Sequence, residues 1–315
     1  MTVSILSAFS SEAFLKFSQG ESEQPAQLVG SDPYSKYPLF IKRSNNLIFK
    51  PNSTVCFTPI CLSGPVQFDL HNEISYLCDN NPYLSAGFIQ TRKILKRANQ
   101  ENQLISTQFG FVKQESRTNY MLKLGDVNDT FLAGLKRDSR SRINKIMKQK
   151  DEFDFTLAST VSDLECFSEL YDETAQRNNF STSYKFGLQH WKVLLENESW
   201  NLYLLKHQNK LVAGCVVSTV PDGYDYTFMA HVPGTFDYSR AIVYFLYQYL
   251  SKNSNAYLSL GGGIAEGDSL ARYKLSLGGQ AVSFSRVKFV VNNRLSNRLS
   301  EKELFQLMEV KWPPQ

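Results

Sequence analysis

Apolar and polar positions follow two different periods along this chain. Up to residue 125 the pattern is short-ranged: 36–43, 46–50 and 54–62 read as strands separated by Asn45-Asn46 and Pro51-Asn52. Stretches 70–78 and 91–99 read as short helices, and 119–124 alternates into Gly125-Asp126 as a strand ending in a turn. Between 129 and 150 the period becomes helical, with Phe131, Leu132, Leu135, Ile143, Ile146 and Met147 on one face. Beyond that the elements are sharper. Ser162 and Glu165 have capping-box spacing ahead of Leu164, Phe167, Leu170, Tyr171 and Thr174. A second helix follows over 184–195, then strands over 201–207 and 211–220, with Pro221-Asp222-Gly223 turning the chain into a strand over 224–232. The run 238–252 is apolar almost all round, which predicts a buried helix. A strand over 256–260, a helix over 268–277 closed by Gly278-Gly279, and a strand over 281–291 complete the pattern.

Helix, helix, three antiparallel strands, buried helix, strand, helix, strand predicts an α+β domain with a mixed, largely antiparallel sheet. A chain of 315 residues has room for two such domains. The expected division is 1–125, a connecting helix over 126–150, and 151–315. Hydrophobic residues at 42% against 20% charged exclude disordered, collagen-like and coiled-coil proteins.

A net charge of +4 gives no general grip on nucleic acid, but the charge is unevenly spread. The 129–150 helix carries Lys136, Arg137, Arg140, Arg142, Lys145, Lys148 and Lys150 against Asp129 and Asp138. Two readings stand side by side: a solvated face linking two domains, or a ridge facing phosphate or RNA. Five cysteines with no CxxC pair read as reduced thiols, and four isolated histidines give no zinc spacing, so no metal site is expected. No stretch approaches the roughly 20 apolar residues that span a bilayer, and the N-terminus lacks a basic leader, so a cytoplasmic protein is expected.

The nucleotide motifs fail on chemistry. Gly262–Ser269 has Walker A glycine spacing, but Asp268 stands where the lysine is needed and would repel phosphate. Gly261-x-Gly263 lacks the third glycine of a dinucleotide fold, and no GxSxG elbow occurs. What remains is YLSLGGGIAEGDSLARYKLSLGG, from Tyr257 to Gly279, a glycine triplet between a strand and a helix that carries Lys274. Three glycines let a ligand approach the backbone closely; the plain alternative is a tight turn with Lys274 on the surface.

This stretch resembles the Fem family of peptidoglycan-bridge aminoacyltransferases, a branch of the GNAT acyltransferase superfamily. The similarity lies in strand 258–260, Gly261, Gly262 and Gly263, the start Asp268-Ser269-Leu270, the pair Tyr273-Lys274 and the closing Gly278-Gly279. LKRDSRSRINKI at 135–146 is similar to the family's basic inter-domain helix, and Thr174 with Arg177 to its Thr-x-x-Arg signature. Tyr273 stands where the family more often has Phe, and no heptad run supplies a coiled-coil arm.

The resemblance implies two GNAT-like domains, the first degenerate, and transfer of an acyl or aminoacyl group to an amine of a cell-envelope precursor. The donor is an acyl-CoA or an aminoacyl-tRNA, with no tightly bound cofactor, and the basic helix 136–150 is the candidate tRNA contact. Lys274 is the first candidate, as a cation for substrate phosphate or the developing oxyanion, and is expected to be exposed. His231, Asp268 and Glu266 are candidate bases. Arg177, Tyr273 and the three glycines are candidate substrate contacts, and Ala230, Gly234, Ser239 and Arg240 candidate donor contacts. Amides near Ala230 and His231 are expected to face the donor carbonyl, and the helix start after Phe236 to receive donor phosphate. The alternatives are an acyl-CoA-dependent N-acetyltransferase of capsule or lipopolysaccharide amino sugars, and a non-catalytic binding protein that keeps the fold.

Overall fold

The computed structural model describes residues 27–29, 37–43, 54–57, 70–91, 104–107 and 110–291, apart from 181–183, 221–222, 235, 253–255 and 263–266. Two compact units emerge. Described residues up to Arg117 and from Ser283 form the first, and Thr118–Val282 form the second. The expected division at 125 and 150 is therefore displaced. The basic helix belongs wholly to the second unit, and the chain returns to the first at its last strand.

In the first unit lie β1 (Gln27–Val29), β2 (Tyr37–Arg43), β3 (Thr54–Phe57), helix α1 (Leu70–Asn80), β4 (Leu84–Thr91) and β5 (Leu104–Thr107). β6 (Gly110–Lys123) begins there and runs into the second unit, which continues with α2 (Arg137–Lys148), β7 (Phe153–Leu157), α3 (Val161–Arg177) and α4 (Leu188–Leu195). β8 (Trp200–His207), β9 (Lys210–Val220), β10 (Gly223–His231), α5 (Tyr238–Leu250), β11 (Tyr257–Gly262), α6 (Ser269–Ser276) and β12 (Gln280–Val291) follow. The first unit's sheet runs β1-β2-β3-β4 and then residues 285–290 of β12, parallel only between β3 and β4. The second unit's sheet runs from residues 119–123 of β6 through β11, β10, β9 and β8 to β7, parallel only between β10 and β11. Both units are thus mixed, largely antiparallel sheets with helices, the expected GNAT-like α+β layout.

Apolar periodicity placed most of the second unit correctly, and the exceptions have local causes. α3 begins at Val161, not after Ser162: Thr160 Oγ1 accepts from the Asp163 amide at 3.1 Å, and the Asp163 carboxylate accepts from the Thr160 amide at 3.2 Å. The capping box lies two residues upstream of the expected pair. The expected 129–150 helix is broken. A π-helical turn spans Val127–Leu132, capped by the Asp126 carboxylate, and the backbone then leaves helical geometry as the Lys136 amide donates to Ser276 O at 3.1 Å. The 184–195 helix shortens to α4, and β7 was not anticipated. The strand 46–50 and most of the helix 91–99 fall outside the described residues; Thr91 itself ends β4.

One sheet face is covered by α5, whose Ala241, Ile242, Val243, Tyr244, Leu246, Tyr247 and Leu250 are buried, as its all-round apolar pattern requires. Its outer side meets α2 through Ile143 and Ile146, so the basic helix is anchored by an apolar stripe. Tyr247 stacks on Phe131 at 4.5 Å and donates to Lys123 O at 2.9 Å. On the opposite face α3 and α4 bury Phe167, Tyr171 and Trp191, with Trp191 edge-on to Phe228 of β10 at 5.3 Å.

Candidate functional site

The parallel pair β10 and β11 opens into a cleft. Pairing covers Gly223 with Tyr257, Tyr224 with Leu258 and Asp225 with Ser259, and no further. Beyond Asp225, among the described residues, β10 pairs only with β9, with a bulge between Tyr226 and Phe228. The carboxyl ends of two parallel strands, parted in this way, leave backbone edges that a ligand can reach.

Lys274 lies against the β11 end of that parting. Its side chain is buried, 8% exposed, and Nζ donates to Gly262 O at 2.6 Å. The expected surface lysine is thus an inward-facing cation, because α6 turns this face against the end of β11. Gly261 makes the approach possible: its φ is +73°, and a Cβ there would lie 3.3 Å from Lys274 Nζ. Asp268 caps α6 by accepting from the Ala271 amide at 2.6 Å, which commits one carboxylate oxygen to structure. Gly263 and Glu266 lie outside the described residues.

The Thr-x-x-Arg pair closes the end of β10. Arg177 Nη2 donates to His231 O at 2.8 Å, and Thr174 Oγ1 accepts from the His231 amide at 3.3 Å. The His231 amide, expected to face a donor carbonyl, is therefore turned to α3. Arg177 is a clamp on the strand end. The His231 ring is fixed too: Nδ1 lies 2.9 Å from Val232 O, and since a carbonyl only accepts, Nδ1 carries the proton and Nε2 the lone pair in the neutral ring.

A shallow pocket of about 210 Å³ lies at the start of α5, lined by Arg142, His231, Gly234, Phe236, Tyr238 and Ser239 among others. Gly234 leaves open space, and Ala230 is fully buried. The helix start does not await phosphate. Asp237 caps it, accepting from the Arg240 amide at 3.1 Å and Ser239 Oγ at 2.8 Å, and pairs with the Arg240 guanidinium and with Arg142 at 3.4 Å. Burial opposes its charge, but the Ser239 hydrogen bond and the Arg240 charge outweigh that and hold the carboxyl below its usual range. An ionised carboxylate occupies the place expected for donor phosphate. Arg240 is consumed as a structural tie, reaching Ser139 and Ser276 at 3.2 Å and lying 4.9 Å over the Tyr273 ring. Burial chiefly, against the Ser239 hydrogen bond and the Arg240 charge, pushes the Tyr273 hydroxyl up to about 12.

Three pocket features were not singled out from sequence: Asp237 as the cap, Tyr238, and His207 behind Tyr238. Tyr238 Oη lies 3.1 Å from His207 Nδ1, and His207 is stacked on Phe153 at 4.3 Å. Asp237 before an apolar helix was the available signal, since it is a preferred N-cap residue. The His207 contact joins residues 31 apart and has no local signature. The basic residues of α2 are exposed, and the ridge reaches the pocket through Arg142 and through Lys145, 5.4 Å from the Phe236 ring. Among the described residues no helix is long and apolar enough to cross a membrane, and no cluster of metal-ligating side chains occurs.

No protein-family model matches the chain, and no curated protein matches it in sequence. Solved structures do match in fold. FemX aligns with a TM-score of 0.63 over 96% of this chain and 94% of its own, at 13% identity. The C-terminal domain of a putative lysylphosphatidylglycerol synthetase from Agrobacterium fabrum aligns at 0.57, with 11% identity over 90% and 87% of the two chains. The L-PGS of Bacillus licheniformis aligns at 0.54, with 12% identity over 95% of each chain. The chain has the Fem-like, GNAT-type fold of FemX and these synthetase domains.

Proposed function

We propose that the chain is an N-acyltransferase that passes an aminoacyl group from an activated ester to an amine of a cell-envelope precursor. The observation that carries this reading is the cleft between β10 and β11 with the Lys274 ammonium at its β11 end. Amide formation needs the two reactants aligned and the tetrahedral oxyanion stabilised, and it needs no covalent intermediate with the protein. Lys274, held against Gly262 O, supplies the positive charge for that oxyanion. His231 Nε2 offers an acceptor to a donor hydroxyl in the α5 pocket.

The fold shared with FemX and with lysylphosphatidylglycerol synthetase domains supports an aminoacyl donor. So does Asp237, because a coenzyme A pyrophosphate at the α5 start would face an ionised carboxylate. The exposed α2 ridge supports tRNA as the carrier, with Arg142 and Lys145 continuing it to the pocket.

The test is a matrix of donors against acceptors, read by mass spectrometry of the amide product. Donors are acetyl-CoA and alanyl-, seryl- and lysyl-tRNA; acceptors are UDP-N-acetylmuramoyl-pentapeptide and an amino-sugar nucleotide. Transfer from a charged tRNA is the expected result. Transfer from acetyl-CoA alone would favour the amino-sugar N-acetyltransferase. No amide from any pair would overturn enzymatic acyl transfer and leave a binding protein.

A further inference from the structure

A line of three side chains runs from the α5 pocket toward solvent. Tyr238 lines the pocket at the first turn of α5, and its hydroxyl lies 3.1 Å from His207 Nδ1 on β8. His207 Nε2 lies 3.4 Å from Oε2 of Glu152, which stands in the short turn ahead of β7. Exposure rises outward along the line: the His207 side chain is 14% exposed and that of Glu152 40%. Glu152 is held independently of the histidine. Gln208 Nε2 donates to the same Oε2 at 2.8 Å, and the Gln208 amide donates to Glu152 O at 3.0 Å. His207 is fixed as well, its ring stacked on Phe153 at 4.3 Å and flanked by Phe236 at 5.4 Å.

These partners decide where the protons sit. The Gln208 hydrogen bond outweighs desolvation and, with His207 adding to it, holds the Glu152 carboxyl below its usual range, so the group is ionised and only accepts. Nε2 therefore carries the proton in the neutral His207 ring, Nδ1 keeps its lone pair, and Tyr238 donates its O–H to Nδ1. The remaining lone pair of the Tyr238 oxygen is left for a ligand in the pocket. His231 shares the pocket but is backed differently, its Nδ1 meeting the neutral Val232 carbonyl at 2.9 Å. A carboxylate stabilises an imidazolium better than a carbonyl does, so of these two histidines His207 is the one built to take up a proton.

We infer that Tyr238 is the proton-transferring residue of the α5 pocket, and that His207 and Glu152 are the positioning residues behind it that store the proton. This rests on the acyl-transfer reading above. The neutral acceptor amine attacks the ester carbonyl, and the C–N bond forms. The nitrogen, now cationic, gives one proton to Tyr238 Oη while Tyr238 passes its own to His207 Nδ1, and Glu152 faces the resulting imidazolium. The C–O bond then breaks with its electron pair on the leaving oxygen, which takes the proton back by the same route. Nitrogen and leaving oxygen are substituents of one carbon in the tetrahedral intermediate, so a single hydroxyl serves both. Other charged side chains near this line are Lys150 and Asp151 beside Glu152, exposed Lys210 opposite His207 in the β8–β9 register, Lys145 of α2 over the Phe236 ring, and the Arg142–Asp237 pair at the pocket. Lysine, arginine and carboxylate side chains ordinarily keep their charge through the range in which an imidazole titrates, so they leave its signature distinct.

The experiment uses the full chain with whichever charged tRNA and acceptor give amide in the donor–acceptor matrix. It compares wild type, Tyr238→Phe, His207→Gln and Glu152→Gln across pH, with melting curves beside the kinetics. In Tyr238→Phe, kcat falls roughly 10²-fold while KM for the charged tRNA holds. Wild-type kcat falls on acidification twice over, once as the amine protonates and once as the His207 ring does. His207→Gln keeps only the amine's limb. Glu152→Gln moves the other limb toward acid, because an imidazolium without its carboxylate is disfavoured. Unchanged kcat in Tyr238→Phe overturns the inference while leaving acyl transfer intact. So does a His207→Gln profile that keeps both limbs, which marks the histidine as packing alone. A wild type that transfers nothing from any donor overturns the acyl-transfer reading and this inference together.

Discussion

Replacing Lys274 separates its chemistry from its packing, because the ammonium and the aliphatic stem do different things. Lys274→Met keeps most of the stem and removes the ammonium that donates to Gly262 O at 2.6 Å. A charge-assisted bond of this kind contributes about 1.5–3 kcal/mol. If the charge is used on the oxyanion, kcat/KM falls roughly 10- to 150-fold. Folding should move by no more than about 1 kcal/mol, since losing the bond is offset by no longer burying a charge. Lys274→Ala also deletes three buried methylenes at about 0.8 kcal/mol each. At roughly 2–4 °C per kcal/mol, that lowers the melting temperature by about 5–10 °C. The assay is amide formation under kcat/KM conditions beside calorimetric melting of all three proteins. Full activity in Lys274→Met removes the lysine from the chemistry. An unshifted melting temperature in Lys274→Ala refutes the buried placement on which this reasoning stands.

Two further outcomes are expected. Replacing Arg137, Lys145 and Lys148 by Gln should reduce the salt dependence of tRNA binding by about 2–3 units of log–log slope, at 0.7–0.9 per phosphate. Filter binding across salt concentrations measures it, and salt-independent binding would leave α2 a solvated face. Asp237→Asn should destabilise the protein at neutral pH. Because the folded-state pKa of Asp237 is lowered, its contribution is present above the ordinary carboxylate range and is lost as pH falls through the folded value. Urea melts of wild type and variant should therefore converge on acidification, and a constant gap would count against the ion pair with Arg240.

Periodicity revealed the second unit because its elements are long and bounded by strong turns: α5 is apolar all round, and Gly278-Gly279 closes α6. β7 escaped because five residues, Phe153–Leu157, give barely two alternations, and its place is set by pairing with β8 rather than by its own pattern. The division into units was not legible for a related reason. β6 and β12 each read as one strand, yet each changes unit partway along. For the candidate site, local motifs pointed to Lys274, Thr174 and Arg177 but not to their orientations. Lysine burial depends on which way α6 faces, and Arg177's carbonyl partner is 54 residues distant. Asp225 sits between two tyrosines in an alternating strand, where a charged residue reads as the solvent side. It faces inward because α3 and α4 cover that side of the sheet.

The late return of the chain to its first unit has a consequence for synthesis. β4 cannot complete its pairing until residues 285–290 of β12 exist, whereas everything from Thr118 to Val282 is contiguous. A growing chain therefore holds β1–β4 waiting, with the β4 edge open, while the unit made second has all its strands in hand. Vectorial folding runs backwards here. Ribosome-stalled intermediates whose emerged part ends near residue 282 should protect 118–282 from protease before they protect β2–β4, and the interval between the two is when this protein is most exposed to misassembly.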